Sequence, residues 1–229
     1  YSVKGGIGPI TSNLLFEGPI MKDKTSLMFG GRATYSDFVL KQISNSPLGN
    51  QNAVFHDLIV KLDHKLDEKN TFLASAYYSF DSFQLNSDSL LGYSDFSYTN
   101  ANFSVNWMRK FNDEFNGSLR LTGSQYRYDI GYDQLPSQAF KINYDISEWA
   151  GTVDFNYYLN DKNHFNFGAN TKRYQINPGI REPLGELSDI RYDEINPEQA
   201  LESAIYFSNQ YDPTKNISLY AGLRYSLFT

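Results

Sequence analysis

The sequence of 229 residues has no cysteine, only two tryptophans and only three histidines. Without cysteine there is neither a disulfide framework nor a thiolate metal site, and the composition suits an oxidising compartment where free thiols are a liability. A basic stripe is missing too. Lys and Arg number 20 against 26 Asp and Glu, a net charge of −6, so nothing is laid out to meet phosphates and no nucleic-acid partner is expected. No run of about 18 apolar residues occurs, which excludes a transmembrane helix. That absence leaves a membrane open, because spanning β-strands alternate lipid-facing and lumen-facing residues. A mean hydropathy of −0.49 therefore does not separate a soluble protein from a barrel. The length fits one large all-β domain or two smaller ones.

What is abundant is Tyr (18), Phe (17) and Gly (16), a composition of strands and turns. The stretch Leu14 to Tyr35 sets the pattern. Leu14 and Phe16 share one face before a polar turn at Lys22-Asp23-Lys24, and Leu27, Phe29, Gly31, Ala33 and Tyr35 share one face after it. Strict alternation means strand. The same device recurs along the chain, clearest where Trp149, Gly151, Val153, Phe155, Tyr157 and Leu159 alternate with Ala150, Thr152, Asp154, Asn156 and Tyr158. About ten strands are predicted, the first over Ile7 to Gly18 with Gly5, Gly6 and Gly8 as a bend, the second from Thr25 to about Leu40.

Turn centres fall near Asp23, Lys69, Asp113, Lys162 and Thr214, about 44 to 52 residues apart, which is a repeat of supersecondary units. Within each unit one connection is about four residues and the next about 9 to 20, as at Gln42 to Ala53, Asn86 to Asp95 and roughly Asn177 to Glu198, with a further loop around Asp133 to Gln138. Short turns at one rim and long loops at the other are the layout of an antiparallel up-and-down transmembrane β-barrel. On this phase Arg32, Lys61, Asp63, Arg120, Asp154, Lys172 and Arg224 fall on the lumen side, either as a basic wall that contacts a plug or an anionic substrate or, the commoner arrangement, as a ladder paired with Asp63, Asp154 and similar neighbours. Arg109 breaks the phase beside a short turn. Tyr35, Tyr77, Tyr78, Trp107, Trp149, Tyr157, Tyr158 and Tyr225 gather toward strand ends as interface girdles. Because Tyr1 and Phe228-Thr229 lie inside strand-like sequence, the chain is expected to be an interior piece of a longer polypeptide.

Four pieces of this sequence carry a family resemblance. Leu15-Phe16-Glu17-Gly18-Pro19-Ile20, the turn Lys22-Asp23-Lys24 and Gly30-Gly31-Arg32-Ala33-Thr34-Tyr35 resemble the early barrel strands of TonB-dependent receptors of the Bacteroidetes. That type often carries an N-terminal carboxypeptidase-regulatory-like domain. Ala221-Gly222-Leu223-Arg224-Tyr225-Ser226 is similar to a strand recurrent in such barrels. The resemblance implies that residues 1–229 are part of a single outer-membrane barrel domain of 22 strands. Nothing in the sequence matches the family's plug, its TonB box or its C-terminal strand.

The implied function is active uptake of a large or scarce substrate: a glycan, a peptide or a metal chelate. Implied partners are outer-membrane lipid and lipopolysaccharide, TonB through the segments not matched here, and a surface lipoprotein. The alternatives are a non-transporting structural or receptor subunit beside such a lipoprotein, and an open porin.

No enzyme, cofactor or metal site is expected. Gly5-Gly6-Ile7-Gly8 has no helix after it to hold a phosphate. His56 and His64 share a strand face but lie about 26 Å apart, too far for one metal. Glu182, Glu186, Asp189, Asp193 and Glu194, with Glu198, form an acidic extracellular-loop cluster beside Arg181 and Arg191. It could contact substrate or a divalent cation, and the plainer expectation is a solvated loop.

Overall fold

The computed structural model describes residues 1–35, 52–86, 93–133 and 135–229. Their strands are β1 (Ser2–Ile7), β2 (Thr11–Met21), β3 (Thr25–Thr34), β4 (Asn52–Lys65), β5 (Asn70–Asn86), β6 (Tyr93–Lys110), β7 (Phe115–Tyr132), β8 (Phe140–Asn160), β9 (Asn163–Pro183), β10 (Asp193–Glu194), β11 (Glu198–Thr214) and β12 (Ile217–Phe228). They form one antiparallel sheet in which each strand pairs with the next in sequence. The exception is the two-residue β10, which lies against β9 and leaves β9 to pair with β11. Two strands more than the alternation predicts are present. The predicted bend at the N-terminus is a hairpin, with β1 and β2 closed by Gly8, whose N–H donates to the Thr11 carbonyl at 2.8 Å. β1 was hidden because Gly5 and Gly6 remove two side chains from its alternation.

The short turns are built from their own polar side chains. Asp67 accepts from the Lys69 and Asn70 amides at 2.8 Å, Asn112 from Glu114 and Phe115, and Asn160 from Lys162. Each is an Asx turn, the local bond that stops a ladder and reverses the chain. Asp23 takes the left-handed conformation, φ 58°, in the first turn. Three prolines in strands sit where a ladder N–H is not needed: Pro19, Pro178 and Pro213 each lie at a register shift. The predicted connections at Gln42 to Ala53 and Asn86 to Asp95 lie largely outside the described residues. At the opposite end from the short turns, β8 and β9 each run for 21 residues, about 70 Å of chain.

The described residues form no hydrophobic core. Among the described residues the buried apolar side chains are Ala139 and Ala204, while Leu14, Leu58, Leu121, Trp149, Ile205 and Leu223 are each at least 45% exposed. A single sheet of this kind has no second layer to cover it. Its tilt follows from register. One row of cross-strand partners runs from His64, one residue from the end of β4, to Tyr225, eight residues into β12. With the turn tips level, that climb over seven strand spacings is a strand tilt of about 35°.

Candidate functional site

Directly opposed residues in an antiparallel pair project to the same side, so the registers assign every side chain to one of two faces. Arg32 opposes Asp57, Lys61 opposes Ser75, Asp63 opposes Leu73, and Asn106 opposes Arg120. Carried through β8, β9, β11 and β12, this face also holds Asp154, Lys172, Glu202 and Arg224. All seven charged residues singled out in the sequence share it. We call it the Arg32 face. The opposite, Leu27 face carries Tyr35, Tyr78, Trp107, Trp149, Tyr157 and Tyr225. Tyr77 and Tyr158 lie on the Arg32 face instead, because they neighbour Tyr78 and Tyr157 in sequence and alternation sends neighbours to opposite sides. Arg109 stands on the Leu27 face beside a turn, its guanidinium 5.3 Å over the centre of the Phe111 ring.

On the Arg32 face a hollow of about 860 Å³ is walled by residues from β1 through β7, among them Glu17, Met28, Lys61, Asp63, Asn106 and Arg120. Asn106 Oδ1 is buried there without a hydrogen-bond partner. The ion pairs on this face are made with acidic neighbours other than Asp63 and Asp154. Arg32 binds Asp57 at 2.6 Å, and Arg224 lies 3.7 Å from Glu202 while donating to Asn170 at 3.0 Å. Asp63 pairs with no cation among the described residues, and Asp154 accepts from the Tyr206 hydroxyl. Tyr206 on β11 reaches Asp154 on β8 by crossing Gly168 on β9, where a Cβ would meet the Val153 carbonyl and the tyrosine ring. Only glycine leaves that path open.

The Leu27 face is apolar only over part of its height. On β7 it reads Phe115, Gly117, Leu119, Leu121, Gly123 and then Gln125, Arg127, Asp129; on β8, moving away from the turn, Tyr157, Phe155, Val153, Gly151, Trp149 and then Ser147, Asp145, Asn143. On β9 it passes from Phe165, Phe167 and Ala169 through Thr171 to Arg173 and Gln175. The polar part is knit together: Gln125 donates to Asp145 at 2.7 Å, Asn143 donates to Asp129, and Arg127 lies 4.0 Å from Asp145.

At the same height the Arg32 face reverses in the other direction. Phe96, Tyr98, Tyr126, Tyr128, Ile130, Tyr132, Phe140, Ile142, Tyr144 and Ile146 cover it across β6 to β8. Tyr98 stacks on Tyr128 with centroids 4.7 Å apart and planes at 7°, and Tyr128 stacks on Tyr144 at 6.0 Å. This inversion was not read from the sequence, although Ser124-Gln125, two polar neighbours inside a strand, marks it on β7.

The aromatics of the Leu27 face fall at two heights. Trp107 and Tyr157 stand three residues from their turns, and Trp107 Nε1 donates to Asn70 at 3.1 Å. Tyr35, Tyr78, Trp149 and Tyr225 stand eight to eleven residues from theirs. The acidic cluster does not converge. Glu182 pairs with Lys141 at 2.8 Å, Asp193 lies 3.7 Å from Arg181, and Glu194 accepts from Tyr192 at 2.7 Å, a bond that raises the Tyr192 phenol above its usual range. Among the described residues no three His, Asp or Glu side chains gather as metal ligands. His64 Nδ1 lies 2.8 Å from the Thr25 hydroxyl, and His164 stacks on Tyr158 at 4.2 Å.

No protein-family model matches the sequence, and no curated protein matches it. Solved structures do. The chain superposes with a TM-score of 0.68 at 10% identity on BauA, the ferric preacinetobactin receptor of Acinetobacter baumannii, over 95% of its own length and 39% of that chain. On the pyoverdine outer-membrane receptor FpvA of Pseudomonas aeruginosa it scores 0.71 at 12% identity, over 100% of this chain and 41% of that one. The copper transporter OprC gives 0.69 at 9% identity, over 99% and 36%. The chain thus spans well under half the length of each. Its twelve strands have the fold of a portion of a TonB-dependent receptor β-barrel.

Proposed function

We propose that the chain is part of the barrel of a TonB-dependent transporter in a bacterial outer membrane, taking up a large or scarce substrate such as a metal chelate, a peptide or a glycan. The observation that carries this is the change of polarity on the Leu27 face. A sheet with no core that is apolar between two aromatic heights, and polar beyond them, fits a surface covered by lipid over only that interval. On β8 the interval from Tyr157 to Trp149 is about 27 Å of strand, or about 22 Å along the membrane normal at the tilt above, close to the roughly 25 Å apolar band of such barrels. The Arg32 face then lines the lumen, where Arg32, Lys61, Asp63, Arg120, Asp154, Lys172 and Arg224 are held wet.

In this reading the short turns are periplasmic. The acidic residues Glu182 to Glu194 stand outside the cell, beside the rim where a surface lipoprotein would sit. Substrate uptake would draw on TonB through a plug inside the barrel, and the barrel residues bind and enclose rather than react.

Deleting the gene for the full-length protein and following depletion of ferric and cupric chelates, oligosaccharides and oligopeptides from the medium tests this. One class should fail to be imported without the gene, and a protonophore should abolish the import that restoring the gene returns. Import that survives the protonophore contradicts the proposal. Steady ion conductance by the intact protein in planar bilayers would make it a porin instead.

A further inference from the structure

The Leu27 face carries a groove that the transport reading does not use. Gly151 on β8, Ala169 and Thr171 on β9 and Ser203 on β11 form its floor, while Leu119, Ile205, Tyr225 and Leu227 stand up around it, enclosing about 590 Å³. Small residues side by side on three neighbouring strands make the depression, since each leaves the space that a Leu or Phe fills elsewhere on this face. The two hydroxyls in the floor are turned on each other, Thr171 to Ser203 at 3.0 Å. One O–H of the pair stays free to donate, and the rest of the floor, Gly151 and Ala169, is apolar.

One end of the groove is charged. The next row toward the long-loop rim places Trp149 directly opposite Arg173, and Arg173 opposite Leu201. Arg173 is two residues beyond Thr171 on the same face, about 7 Å along the strand. It is exposed, donates to Gln199 at 2.8 Å, and makes no ion pair among the described residues. Its height is that of the upper aromatics, where the face turns from apolar to polar. An apolar trough running into an unpaired cation at such a boundary has the charge and shape of one kind of molecule, an acyl chain joined to a phosphate.

We propose that this groove is a binding site for a phosphate-bearing acylated lipid of the leaflet on the long-loop side, with one acyl chain along Gly151, Ala169 and Ser203 and the phosphate on the Arg173 guanidinium. Planar, forked donors suit phosphate oxygens, and the Trp149 indole, 61% exposed, flanks the same headgroup level as interfacial tryptophans do. The site rests on the proposal that the Leu27 face meets lipid.

The experiment uses the full-length protein reconstituted in phosphatidylcholine nanodiscs doped with lipid A, with bound lipid counted by native mass spectrometry. Wild type should retain one lipid A. Arg173→Ala should weaken retention about fivefold to tenfold, on the scale of one cation at a membrane surface, and removing the lipid A phosphates should do the same to wild type. Gly151→Leu should abolish retention by filling the groove; a Cβ there makes only an ordinary 3.6 Å contact with Leu121, so the variant is expected to fold. Ala169→Leu is the second filling variant, and each is checked for the wild-type heat-modifiable band shift.

Equal retention by wild type, Arg173→Ala and Gly151→Leu overturns the site. So does retention that ignores the phosphates, which is ordinary boundary lipid, and so does a protein rather than a lipid found on this face. Failure to insert into nanodiscs at all would instead sink the membrane reading beneath it.

Discussion

The lower and upper halves of β7 and β8 use the same two faces in opposite ways. Near the short turns Leu119, Leu121 and Val153 form an apolar surface, and Arg120 and Asp154 stand behind them. Beyond Trp149, Arg127 and Asp145 occupy the surface that Leu121 held below, while Tyr128 and Tyr144 stack on the side that Arg120 held. Backbone, pairing and alternation do not change between the two. In the proposed membrane setting, what differs is which side of the sheet is wet, so that the polarity of a face records its solvent at that height and not its place in a core.

The largest expected effect comes from putting a charge on each half of one face. Leu121→Arg, six residues above the turn, should lower unfolding free energy in lipid vesicles by about 2–4 kcal/mol, and Gln125→Arg, four residues further along the same face, by about 0–1 kcal/mol. Equal costs would erase the distinction. Next comes the boundary itself. Gly123 lies between Phe103 and Trp149, whose rings meet edge to face at 5.4 Å; a Cβ at Gly123 would run into the Phe103 ring. Gly123→Val should displace that ring at a cost of about 1–3 kcal/mol, visible as a changed Trp149 emission, whereas Gly151→Ala should stay within about 0.5 kcal/mol of wild type.

Smaller effects are expected among the exposed charges. Arg32→Ala breaks a pair whose arginine is 54% exposed and should cost no more than about 1 kcal/mol in urea titrations, falling with added salt. The smallest concerns the turn at Asp67. Hydrogen bonds from the Asn70 side chain and the Lys69 amide hold its carboxyl below the usual carboxylate range. A depressed folded value means that the turn is stabilised above the unfolded value of about 4 and loses that support as pH falls through the folded one. The protection of the Lys69 and Asn70 amides against hydrogen exchange, taken relative to the intrinsic rate at each pH, should therefore fall in acid, and Asp67→Asn should make that protection independent of pH over the same window.

Much of this molecule is legible in its alternation. The strand phases from Leu27 to Tyr35, Leu58 to Leu62 and Trp149 to Leu159 place each side chain on the face where the registers put it, because a period of two leaves no freedom once the backbone is extended. The turns are legible for a similar reason, since Asp67, Asn112 and Asn160 carry the bond that reverses the chain within their own side chains.

Three features were not legible. β1 lacks side chains at Gly5 and Gly6 to alternate. The partners of Arg32 and Arg224 depend on stagger between strands, which no single strand encodes. The inversion is hidden because the upper half of β7, Tyr126, Tyr128 and Ile130 against Gln125, Arg127 and Asp129, alternates just as regularly as the lower half with the sign reversed.

A spin-label scan along β7 from Phe115 to Tyr132 in lipid vesicles tests the central claim most directly. Labels at 117, 119, 121 and 123 should be relaxed by oxygen and shielded from a water-soluble nickel reagent, and labels at 125, 127 and 129 on the same face should show the reverse. A single unbroken pattern along all of these positions, whether lipid-exposed or water-exposed, would contradict it.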